Sequence, residues 1–74
     1  MKGFDNMAVK CTVLIQKEEH WYVATDILTG VASQGKTPEE SMENLKEALG
    51  LYYEDNTPNE NQPNFYITTM EVIL

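Results

Sequence analysis

The sequence predicts an α+β domain of order β-β-β-α-β, a four-stranded mixed sheet with one face covered by a single helix. Three stretches carry that prediction. Residues 8–16 alternate apolar and polar, residues 37–40 form a Thr-Pro-Glu-Glu helix start, and residues 65–74, FYITTMEVIL, are β-rich and apolar.

The elements follow in order. Residues 1–7 have no periodic pattern and are read as a flexible lead-in. In AVKCTVLIQ, residues 8–16, Val9, Cys11, Val13 and Ile15 share one face, while Lys10, Thr12 and Gln16 share the other; this is a strand with one buried face. KEEH, 17–20, is a polar turn, and WYVATD, 21–26, returns as the antiparallel partner. Ile27 to Gly30 is a bend, and Val31-Ala32-Ser33 makes a brief third strand ended by Gly35.

The helix start has a mechanism. Thr37 is the N-cap, Pro38 takes the first helical position and Glu40 lies three residues after the cap. The capping box predicts that the Thr37 hydroxyl accepts from the amide of Glu40, and that the Glu40 carboxylate accepts from the amide of Thr37. Around residues 38–54, Ser41, Met42, Leu45, Ala48, Leu49, Tyr52 and Tyr53 fall within about 140° of arc, the core-facing stripe. Glu39, Glu40, Glu43, Glu47 and Glu54 fall opposite, with Lys46 among them and Leu51 out of pattern on the same side.

Residues 55–64 are a polar connection, after which the last strand runs parallel to the first. A right-handed crossover gives the spatial order 3-2-1-4. The sheet face away from the helix is left partly bare, and Trp21, Tyr22, Tyr66 and Ile67 are available to it according to register.

Composition narrows the function. A chain of 74 residues is one small domain, and its 42% apolar content suits a globular fold. No apolar run approaches the roughly 18 residues of a membrane span, and MKGFDN has no signal-peptide core, so a cytoplasmic protein is expected. The net charge of −7, with five scattered lysines and no arginine, argues against direct nucleic-acid binding and suits a basic partner.

The search for chemistry finds no catalytic set, so an enzyme is not expected. The single Cys11 and single His20 supply neither a disulfide nor a zinc set. Gly30-Val-Ala-Ser-Gln-Gly35-Lys36-Thr37 matches the phosphate-loop pattern letter for letter. However, Val31 to Ser33 reads as strand, Pro38 and two glutamates follow at once, and the chain is too short for the usual nucleotide fold. Glu39, Glu43 and Glu47 stand four residues apart on a solvent face, which reads as a charged surface, not a metal site. Neither metal nor cofactor is expected. Asp26, at the end of the second strand, is the one strand-borne carboxylate that stands out, and a degenerate nuclease would need at least one more.

The joined pattern resembles a known family. Trp21-Tyr22-Val23-Ala24, Gly30-Val31, Ser33-Gln34-Gly35-x-Thr37-x-Glu39-Glu40 and Asn44-Leu45-x-Glu47-Ala48-Leu49 together resemble the HicB-like antitoxins, over about residues 8–55. Two positions depart from that pattern: Ser41 replaces the usual alanine, and Asp26 to Thr29 lacks the usual proline. The resemblance implies a single HicB-like domain over 1–74 with a partial ribonuclease-H-like fold that lacks that fold's catalytic carboxylates. It is read as the short form, without the C-terminal DNA-binding domain that many members carry. It also implies dimers or tetramers, and neutralisation of a small basic HicA-type messenger-RNA-cleaving ribonuclease by masking its active surface. Asp26, Glu39, Glu40, Glu43, Glu47 and Leu51 are the expected partner-binding residues. The competing expectation is an orphan structural or oligomerisation module of the same fold without a toxin.

Overall fold

In the computed structural model, residues 8–57 and 66–74 are described, so the expected lead-in and most of the polar connection lie outside the described residues. The architecture is α+β: a three-stranded antiparallel sheet backed by one helix. Strands β1 (Val13–Lys17), β2 (Tyr22–Asp26) and β3 (Ala32–Gly35) lie in the order β1-β2-β3, and α1 spans Pro38–Asp55.

Register explains why β1 begins later than the alternation alone implied. Val13 pairs with Asp26 and Lys17 with Tyr22, so β2 ends opposite Val13. One further bond, from the Ile27 amide to the Thr12 carbonyl at 2.9 Å, ties the chain at that end. Residues 8–11 then have no β2 backbone opposite them. The hairpin turn lies at 18–21, closed by the Glu18 amide donating to the Trp21 carbonyl at 2.7 Å.

The pairs Ile15↔Ala24 and Ala24↔Ser33 set the faces. Because side chains alternate along a strand, Val13, Ile15, Tyr22, Ala24, Asp26, Ser33 and Gly35 face the helix. Leu14, Gln16, Val23, Thr25, Ala32 and Gln34 face away. Tyr22 was expected as a candidate for the bare face; the register puts it on the helix side instead, and Leu14 and Val23 supply the apolar surface of the outer face.

The core is small. Ala24, Leu45 and Leu49 are buried, and Cys11, Val13, Ile15, Val31 and Tyr53 pack against them while staying partly exposed. The helix lies over β2 and β3. It therefore leaves the apolar flank of β1 incompletely covered. Met42, expected in the helix's apolar stripe, is about half exposed because it lies at the margin of that stripe.

Gly35 is where sheet and helix come closest. A β-carbon there would stand 2.5 Å from the Ser41 amide nitrogen and 2.8 Å from the Glu40 carbonyl carbon, so only glycine permits the approach. At the helix start, the Thr37 hydroxyl accepts from the Glu40 amide at 3.0 Å, as the capping box requires. The reciprocal bond differs from expectation: the Glu40 carboxylate accepts from the Lys36 amide, one residue before the cap. The tight Gly35 approach carries the strand end over the first helical turn and brings that amide within reach.

Residues 66–74, expected to lie in a fourth strand, have no strand pairing and are exposed throughout. Their apolar side chains stand in solvent, with Tyr66 98% and Ile73 96% exposed.

Candidate functional site

The site follows from the geometry of α1. Glu39, Glu43, Glu47 and Leu51 recur every fourth residue and form a ridge along the helix, with Glu40 beside it. All five are exposed, Leu51 to 62%. Lys46 sits 3.6 Å from Glu43, but both side chains are largely in water, where such a pair contributes little and leaves the ridge negative. The ridge ends at Leu51, a lone apolar group at the end of an acidic row.

A shallow cleft of about 430 Å³ adjoins the first turn of the helix. His20, Trp21, Lys36, Glu40 and Asn44 contribute to its lining. The hairpin turn at 18–21 brings Trp21 there, with its indole partly exposed beside the acidic start of the ridge. Asn44 fixes the cleft wall by donating through Nδ2 to the Gln34 carbonyl at 2.7 Å. Sequence reasoning assigned Trp21 to the start of a strand and missed the cleft. The available signal was the polar turn just before it, which pushes an aromatic to the sheet's end.

Asp26 stands apart from this surface. It is only 1% exposed, and its Oδ2 accepts from both the amide and the hydroxyl of Thr29. The Thr29 hydroxyl in turn accepts from the Val31 amide at 3.1 Å, and the Gly30 amide donates to the Asp26 carbonyl at 2.8 Å. Gly30 closes the bend at a φ of 80°, a left-handed conformation that glycine adopts without strain. Asp26 thus folds the β2–β3 turn; a partner does not reach it without opening that turn. Behind it, Cys11 and Tyr53 hold their protons more tightly than usual. Burial is the first cause for both, and the nearby charge of Asp26 adds to it.

Among the described residues, no group of three or more His, Cys, Asp or Glu side chains is placed to share a metal ion. Nor is any helix among them long and apolar enough to cross a membrane.

Fold and surface together define a small α+β domain with an acidic helix ridge and a Trp-lined cleft at its start. The chain belongs to a family of unknown function, DUF7387, whose model matches residues 5–71. It is also similar to a UPF0150 protein of Helicobacter pylori, 46% identical over 43 residues, which are 57% of this chain and 60% of that protein. A UPF0150 protein of Thermoplasma acidophilum is 42% identical over 48 residues, 62% of this chain and 70% of the relative. The chain therefore spans less than two thirds of the first of these relatives. No solved structure matches it.

Proposed function

We propose that this chain is a HicB-like antitoxin domain that neutralises a small basic HicA-type ribonuclease by covering its RNA-cleaving surface. The observation that carries the reading is the exposed ridge of Glu39, Glu43, Glu47 and Leu51 with Glu40 beside it, on a chain of net charge −7. A ribonuclease presents Lys and Arg to phosphate, so an acidic ridge competes for the same groups and also speeds encounter. Trp21 in the adjoining cleft supplies an aromatic anchor of the kind that dominates binding energy, and Leu51 supplies a second apolar contact at the far end. The protein acts as a binder in the cytoplasm, where messenger RNA is cleaved, and itself performs no chemistry.

The finer fold belongs to the same reading. Residues 66–74 form a fourth strand beside β1, giving the order 3-2-1-4 and a partial ribonuclease-H-like sheet. The uncovered flank of β1 and the exposed apolar residues 66–74 support it.

The test is a charge reversal. A Glu43→Lys, Glu47→Lys double variant, folded as judged by circular dichroism, is expected to bind its ribonuclease at least tenfold more weakly. Trp21→Ala is expected to weaken binding by a similar factor. Unchanged affinity in both variants rejects this face as the docking surface.

A further inference from the structure

We propose that the cleft at the start of α1 receives one arginine side chain of a basic partner protein, its guanidinium laid on the Trp21 indole and its N–H groups given to Glu40 and Asn44. The inference rests on the reading of a basic protein partner and adds which side chain enters the cleft.

The aromatic platform is set by the hairpin. The Glu18 amide donates to the Trp21 carbonyl and closes the turn, and the next residue, Tyr22, pairs with Gly35. Trp21 therefore stands level with Lys36, where β3 hands over to the helix, and it keeps 44% of its surface exposed. An indole left bare at that point presents a π face, and among aromatic rings it attracts cations most strongly.

The polar wall is fixed as well. Asn44 lies half-buried in the second turn of α1, and its Nδ2 donates to the Gln34 carbonyl at 2.7 Å. A carbonyl partner requires the nitrogen on that side, so Oδ1 of Asn44 is left as an acceptor. Glu40 receives the Lys36 amide through Oε1, which leaves its second oxygen and its negative charge for another donor. Two donors of the wall are thus spent within the protein. What they leave is a neutral acceptor, a charged acceptor and a π face.

Arginine matches that set. Its guanidinium is a flat, delocalised cation with five N–H donors and no acceptor, so it stacks on a ring while it donates in its own plane. Lysine offers the charge without the plane. His20 and Lys36 also line the cleft, but both are exposed, so water weakens their repulsion, and the chain's net charge of −7 outweighs them. A nucleotide base could stack on the same indole, but its phosphates would meet that negative field. The cleft is too shallow to enclose a free small molecule. A side chain carried on a docked protein is instead covered by the protein that carries it.

The experiment uses the isotope-labelled full chain at constant ionic strength. Blocked arginine, blocked lysine, the neutral isostere blocked citrulline, and adenosine monophosphate are titrated separately, and NMR shifts are followed. Trp21 is the single tryptophan, so its indole N–H signal and its fluorescence report this cleft alone. Arginine is expected to move the Trp21 indole and Asn44 side-chain signals, with lysine and citrulline weaker by roughly threefold or more. Trp21→Leu is expected to abolish the arginine response at Asn44. Glu40→Gln, which keeps an acceptor for the Lys36 amide and removes the charge, is expected to weaken it. The probe comparison on the unaltered chain keeps the test independent of how either variant folds. An equal response to citrulline, shifts confined to the Glu43 and Glu47 signals, or a stronger response to the nucleotide overturns the proposal. If arginine enters the cleft but no ribonuclease is inhibited, the antitoxin reading falls and the arginine site stands. If a ribonuclease is inhibited and arginine does not enter, the site alone falls.

Discussion

Asp26 shows how position along a strand decides what an acid does. At the end of β2 it is buried and holds Thr29 in the turn, whereas the helical glutamates stand in water. Its neighbours Cys11 and Tyr53 give a pH prediction. Burial, then the Asp26 charge, raises the thiol above its ordinary 9.0 and the phenol above its ordinary 10.0. As pH rises, the unfolded chain therefore releases these protons first, and the equilibrium moves toward it. The stability they contribute is complete below about pH 9 and is lost as pH climbs through the raised folded values. Denaturant titrations from pH 7 to 11 are expected to show this decline, and a Cys11→Ala, Tyr53→Phe variant is expected to flatten it. Gly35 gives the second prediction at this scale. Gly35→Ala drives a β-carbon against the Ser41 and Glu40 backbone, so it is expected to cost roughly 1–3 kcal/mol in a urea melt. A cost near zero would show that the helix can lift away freely.

At the scale of elements, the helix was the most legible part of the chain. Thr37, Pro38 and Glu40 mark its start through local chemistry alone, and the structure places α1 at Pro38–Asp55 with Thr37 capping. The first three strands were legible in order and pairing, less so in their ends, because ends depend on register: β1 starts at Val13 only because Asp26 is its partner. The target of the Glu40 carboxylate was not legible at all, since it depends on the Gly35 approach between elements distant in kind. Gly50 offers a test of the helix itself. It lies inside α1, its φ is not positive, and a β-carbon there meets nothing within 4 Å. Gly50→Ala is thus expected to stabilise the domain by about 0.5–1 kcal/mol, read as a rise in the urea midpoint. A loss of stability would mean that the helix bends at this residue.

Across the whole molecule, a core of Ala24, Leu45 and Leu49 is slight for a folded domain, and an apolar segment stands outside it. The fourth strand proposed beside β1 answers both features at once. The acidic ridge of the candidate site was legible from helical spacing, because its members lie on one element. Trp21 was not, because the cleft forms only when the 18–21 turn is brought against the start of α1. That division follows from the physics: periodicity reports one element's faces, and a cleft between elements depends on the fold that joins them. The central claim is that this surface silences a ribonuclease, and a titration tests it most directly. A HicA-type ribonuclease is incubated with a defined messenger RNA and rising amounts of the protein, and intact RNA is measured. The prediction is inhibition that is complete near molar equivalence and weakened by added salt, as an acidic surface facing a basic one requires. Cleavage that continues unchanged at tenfold excess of the folded protein would contradict it and leave an oligomerisation module as the reading.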